Sequence, residues 1–72
     1  MSHLRDEITP ARAALMKQAV YIVGGQDKVG LILHVTQATI SRWCRELGPI
    51  PQPVVLWAKQ TITDNERLIQ EA

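Results

Sequence analysis

The chain has 72 residues, a single cysteine, two histidines and a formal net charge of +1. That length allows one small domain, which buries only about 60% of its unfolded surface. One cysteine excludes an intramolecular disulfide, and His3 and His34 cannot complete a cysteine-rich zinc set around it. No apolar run approaches the ~20 residues of a membrane span, and the polar Met1–Glu7 segment cannot serve as the apolar stretch of a signal peptide. The expected setting is therefore a reducing cytoplasm.

Net charge alone says little about partners; its distribution says more. Asp6, Glu7, Asp64, Glu66 and Glu71 lie near the two ends. Between Ile8 and Ile62, Arg12, Lys17, Lys28, Arg42, Arg45 and Lys59 face only Asp27 and Glu46, a local excess of four positive charges. The expectation is a moderate basic patch flanked by acidic ends.

Strand-like alternation never lasts, and the periodicity is helical. Thr9-Pro10 predicts a helix start, with Thr9 as cap and Pro10 in the first turn. Residues 1–8 would then be a flexible arm or a short helical extension. Ala11, Ala14, Leu15, Ala19, Val20, Ile22 and Val23 supply an apolar face, and Gly24-Gly25 stops the helix. A second helix is expected from Gln26 to Leu33, with Val29 and Leu33 on one face. His34-Val35 makes a turn. Thr36 caps a third helix running to Glu46 or Leu47, with Ile40, Trp43 and either Cys44 or Leu47 inward, and Gly48-Pro49 ends it. In "GPIPQP", Pro51 or Pro53 opens a fourth helix carrying Val54, Val55, Trp57 and Ala58. A final helix begins at "TDNE", where Thr63 and Glu66 have capping-box spacing and Leu68 and Ile69 follow as anchors. Thr61-Ile62 reads as either a helical link or a short extended segment.

The stretch "QDKVGLILHVTQATISRW", Gln26 to Trp43, is thus two short helices and a tight turn, with Val29, Gly30, Leu33, Val35, Ile40 and Trp43 at the apolar positions. This spacing resembles the helix-turn-helix of phage and bacterial regulators, especially Cro-like and YdaS-like proteins. The later "VVLWAKQTITDNERLIQEA" is similar to the tail of the lambdoid lysogeny-activator family. The first likeness is close over Gln26–Trp43; elsewhere it covers helix number and order only. It implies an all-α fold, a compact four- to five-helix bundle of the lambda-repressor-like kind. Residues 1–72 would form one domain, with the helix-turn-helix at 26–46 and C-terminal helices at 51–72.

The resemblance also implies a function: a transcriptional regulator, repressor or activator, binding a roughly palindromic double-stranded DNA operator in a bacterial host cell. The second helix of such a unit enters the major groove, where short polar side chains let it approach the base edges. Thr36, Gln37, Ala38 and Thr39 meet that demand. Gln37 can pair with adenine, Ala38 can touch a thymine methyl, and Thr39 can bond a base or phosphate. Ser41, Arg42 and Arg45 continue the exposed face, with Arg42 reaching guanine or phosphate and Arg45 reaching phosphate. Gln26, helped by the positive end of its helix, and Lys28 are the expected phosphate contacts of the preceding helix. A solvated surface helix could carry the same residues, but Thr and Ser are mediocre helix formers, so a further requirement is implied.

Two positions depart from the family pattern. His34 stands where a left-handed glycine is usual, and Gly30 stands where alanine is usual, weakening its helix by roughly 0.5–1 kcal/mol. Leu31 and Ile32 are unexpectedly apolar; the expectation is that a terminal helix covers them, with a subunit contact as the alternative. A homodimer is expected, with a tetramer as the alternative, through Val54, Val55, Trp57 and Leu68. Trp43 and Trp57 are read as core and interface residues. No motif arranges catalytic groups around His34 or Cys44, so no enzyme, cofactor, metal, membrane or small-molecule ligand is expected. The competing function is a small protein-binding module, an antitoxin, adaptor or inhibitor, to which the low net charge and the apolar surface both point.

Overall fold

Helix α1 runs from Ser2 to Val23, α2 from Gln26 to Leu33, α3 from Gln37 to Cys44 and α4 from Gln52 to Glu71. The computed structural model describes the backbone of residues 2–71 and the side chains of residues 10–71. No strand occurs among the described residues. The expectations that rest on the side chains of His3, Asp6, Glu7 and Thr9 lie outside that range.

The first correction is at the start. Helix α1 does not begin at Thr9-Pro10 but runs through both, with Pro10 inside it. Proline removes one backbone donor and crowds the preceding turn. The helix nonetheless extends in both directions, and the segment ahead of Pro10 contains the good helix formers Leu4, Arg5 and Glu7. Of the two alternatives for residues 1–8, the backbone of residues 2–8 takes the helical one. The buried face of α1 is also rotated from the expected one. Ala13, Met16 and Ala19 are buried, with Leu15, Val20, Ile22 and Val23 partly buried, while Ala11 and Ala14 are exposed.

Helix α2 spans the expected residues, and α3 starts at its expected cap. Thr36 is extended and its Oγ1 accepts the Thr39 N–H at 3.2 Å, satisfying one of the unpaired donors of the first turn. Helix α3 ends earlier than predicted, at Cys44, so Leu47 is outside it and exposed while Cys44 is buried.

One device closes the first three helices. A residue just past each end takes a positive φ: Gly24 at 108° and His34 at 59° directly after α1 and α2, and Glu46 at 62° two residues after Cys44. The N–H that follows each of them reaches back five residues: Gly25 to the Val20 carbonyl at 3.1 Å, Val35 to Gly30 at 3.0 Å and Leu47 to Arg42 at 2.9 Å. This is the Schellman arrangement, which glycine adopts without strain and other residues adopt at a cost. Gly48, expected to stop α3, is not the left-handed residue.

The largest revision is α4. The predicted fourth and fifth helices are one helix of 20 residues. The Pro51 carbonyl accepts the first bonds, from Val54 at 3.0 Å and Val55 at 3.1 Å. Pro53 falls in the first turn, where its missing N–H costs nothing. Thr61-Ile62 is helical, and Thr63 sits mid-helix, so the capping box with Glu66 does not form. The reason is packing. Val54, Val55, Ala58, Thr61, Ile62 and Asn65 recur at helical spacing and are buried or half-buried, and α1 is the helix that α4 chiefly packs against.

Met16 from α1, Val29 from α2, Ile40, Trp43 and Cys44 from α3, Ile50 from the connecting segment and Val55 from α4 form the core. Arg12 locks the segment before α4: its Nη1 donates to the Ile50 carbonyl at 2.8 Å and its Nη2 to Gln52 Oε1 at 2.7 Å. Leu31 and Ile32 are not covered as expected; they are 77% and 50% exposed. A helix of eight residues packed on α1 and α3 has room to bury only the side carrying Val29 and Gly30.

Candidate nucleic-acid interface

Helix α3 has two unlike sides. Ile40 is fully buried and Trp43 and Cys44 nearly so, which fixes the roll of the helix about its axis. Gln37, Ala38, Arg42 and Arg45 are exposed, and Thr39 and Ser41 half-exposed. With ~100° between successive residues, Ala38, Arg42 and Arg45 lie around the middle of the exposed side, and the half-exposed Ser41 and Thr39 lie at its two edges.

The half-exposed polar groups are tied within the unit. Thr39 Oγ1 lies 2.9 Å from Thr36 Oγ1, so the hydroxyl expected to meet a base or phosphate is engaged in the cap. Thr36 is exposed at its side. Arg45 Nη2 donates to Ser41 Oγ at 3.1 Å. The guanidinium is therefore laid back along the helix toward its N-terminus, the direction in which helical side chains lean. On the other flank, Thr39, Arg42, Trp43, Gly48 and Pro49 line an open pocket of about 200 Å³.

The α2 residues are placed less directly. Gln26 is the first residue of α2 and half-exposed, but Asp27 occupies the same first turn and Gly25 provides no side-chain cap. The carboxylate offsets part of the attraction a helix N-terminus has for anions. Lys28 is exposed, and its Nζ lies 3.4 Å from where a Gly24 Cβ would stand. The ammonium thus sits at the carboxyl end of α1, a favourable place for a cation.

The turn between α2 and α3 shows why Gly30 is there. A Cβ on Gly30 would stand 2.7 Å from the Val35 carbonyl oxygen, so the turn folds back onto α2 at a point where alanine does not fit. His34 supplies the left-handed residue of that turn. Burial pushes the Cys44 thiol above its ordinary pKa, against a smaller opposing pull from Lys17, which keeps it a neutral core side chain.

Val55, expected at an oligomer interface, is 4% exposed and belongs to the monomer core. Val54 and Trp57 are half-buried against that core, while Leu56, Leu68 and Ile69 are exposed at 55%, 65% and 67%. Two features escaped the sequence reading: the pairing of Arg12 with Ile50 and Gln52, for which no local signal exists, and the pocket beside Arg42, hidden because Gly48-Pro49 read only as a helix stop. Among the described residues, no cluster of three His, Cys, Asp or Glu could hold a metal ion, and no helix is long and apolar enough to cross a membrane. Compared with known proteins, the chain matches no family model, no curated protein and no solved structure.

Proposed function

We propose that α2, its turn and α3 form a helix-turn-helix, and that the chain is a sequence-specific double-stranded DNA-binding regulator. The observation that carries this reading is α3 itself: its back is pinned by Ile40, Trp43 and Cys44, and its front leaves Gln37, Ala38, Arg42 and Arg45 uncovered. A helix held this way can enter the major groove without losing core contacts. The small Ala38 and Ser41 allow close approach, Gln37 can pair with adenine, and the arginines supply positive charge. One such unit makes few contacts. Two copies, paired through the exposed apolar residues of α4, would double them and would read half-sites about one helical turn (~34 Å) apart. Repression or activation would follow from operator occupancy, as in phage regulators.

Titration against random duplex DNA tests this directly. Weak binding that falls steeply with salt is expected. With a selected operator, Gln37→Ala and Arg42→Ala should each weaken binding by ~1–3 kcal/mol while leaving the helical content unchanged. Unchanged affinity for both variants would remove these residues from the interface.

A second reading, a protein-binding module, is favoured by one observation, the exposure of Leu31 and Ile32 on α2. Such a protein would give no duplex binding in the same titration at low salt.

A further inference from the structure

We infer that the open pocket on the Thr39 side of α3, lined by Thr39, Arg42, Trp43, Gly48 and Pro49, is a binding site for a phosphate group. The site goes beyond the regulator reading and does not depend on it, because a phosphate can come from a DNA backbone or from a free anion.

Size, charge and donor chemistry carry it. The pocket holds about 200 Å³, below the roughly 300–1,000 Å³ of sites that enclose a drug-sized ligand, so it suits a small group. Its lining brings one cation and no carboxylate. The hydrogen bonds among the described residues engage Arg12 and Arg45 but leave the Arg42 guanidinium uncommitted, and guanidinium pairs well with phosphate oxygens. Trp43 is 8% exposed. Its indole N–H is a donor only. It bonds to no other described residue, yet no buried residue among them has an unpartnered side-chain donor sealed from solvent. That N–H therefore opens to the surface, where Trp43 lines the pocket. The third polar group is the Thr39 hydroxyl, 2.9 Å from Thr36 Oγ1, which already accepts the Thr39 N–H. With Thr36 donating in that pair, the Thr39 proton is left for a further acceptor. A Cβ on Gly48 would meet nothing within 4 Å, so the backbone on that side leaves room for an incoming oxygen. Every polar side chain around the pocket can thus donate, and a small anion rich in acceptors is the group that meets them.

The test is titration of the full chain with inorganic phosphate, against chloride at matched ionic strength, followed through the indole N–H signals in nitrogen-correlated proton NMR. Trp57→Phe identifies which signal belongs to Trp43. A saturable shift of the Trp43 signal is expected with phosphate and not with chloride. Arg42→Gln should weaken the phosphate affinity by about tenfold or more. Gly48→Val, which fills the open side, should abolish the shift. Arg42 is exposed and Gly48 half-exposed, so an unchanged thermal transition will show that each variant is folded. Duplex DNA added to the phosphate-bound protein then identifies the source. Displacement of phosphate assigns the pocket to the DNA backbone, joint binding assigns it to a free anion, and both uphold the site. A Trp43 signal that does not respond to phosphate, or a response that survives both substitutions, overturns it. A saturable response in a protein that binds no duplex at low salt would remove the regulator reading and leave this site standing.

Discussion

Helix α3 starts where Thr36 directs it, whereas α4 runs straight past Thr63, a residue with the same chemistry and a better capping partner in Glu66. The difference lies in how each helix is supported. In α3, of eight residues, half of the backbone N–H groups have no partner within the helix, so one side-chain cap is a large share of its stability. Helix α4 has 20 residues, and its stripe from Val54 to Asn65 recurs along the side that α1 packs. Breaking it at Thr63 would forfeit backbone bonds and packing for one capping bond worth about 1 kcal/mol. Local signals thus decide the ends of short helices, and tertiary packing decides the continuity of long ones.

Five substitutions test that contrast. The largest effect is expected from Gly30→Ala. Helix propensity alone favours alanine by about 1 kcal/mol, but the new Cβ would stand 2.7 Å from the Val35 carbonyl. Overpacking against backbone should win, with a net loss of about 1–3 kcal/mol in denaturant unfolding. A gain in stability would mean that the close approach of the turn to α2 is not required. Next come the paired variants Thr36→Ala and Thr63→Ala. The first should lose about 1 kcal/mol, while the second should stay within about 0.5 kcal/mol of wild type. Equal losses would erase the distinction between the two helices. A small gain is expected from Glu46→Gly, which relieves a left-handed residue at φ 62° and should stabilise the chain by about 0.5–1 kcal/mol. Gly48→Ala, two residues on, should be near neutral, because its added Cβ meets nothing within 4 Å. Thermal unfolding of this last pair will show which residue ends α3.

The same physics explains what could be read from the sequence. The bounds of α2, the Thr36 cap, the Gly24-Gly25 stop and the left-handed His34 are encoded within a few residues of where they act. So is the inward side of α3, because Ile40 and Trp43 are large and apolar and recur at helical spacing. The face of α1 was harder to read, since alanines tolerate burial and exposure alike: Ala13 and Ala19 are buried while Ala11 and Ala14 are not. Pro10 and Thr63 carried strong local signals that continuous helices overrode. Leu31 and Ile32 suggested a covering helix that this chain does not supply. At the candidate interface, the exposure of Gln37, Ala38, Arg42 and Arg45 followed from period alone. The capture of Thr39 by Thr36, of Arg45 by Ser41 and of Val55 by the core depends on rotamers and on packing across the chain, which periodicity does not encode.

Arg12 joins positions 38 and 40 residues apart through Ile50 and Gln52. Everything from α2 to the end of the proline-rich connection is thereby enclosed in a loop fastened at its base by one guanidinium. A load applied to α3 would pass through this fastening into the two long helices, so the unit would move with them as a rigid body. Severing it, as in Arg12→Met, would unfasten the base of that loop and leave the shared core of Met16, Val29, Ile40, Trp43 and Val55 to hold α2 and α3 in place.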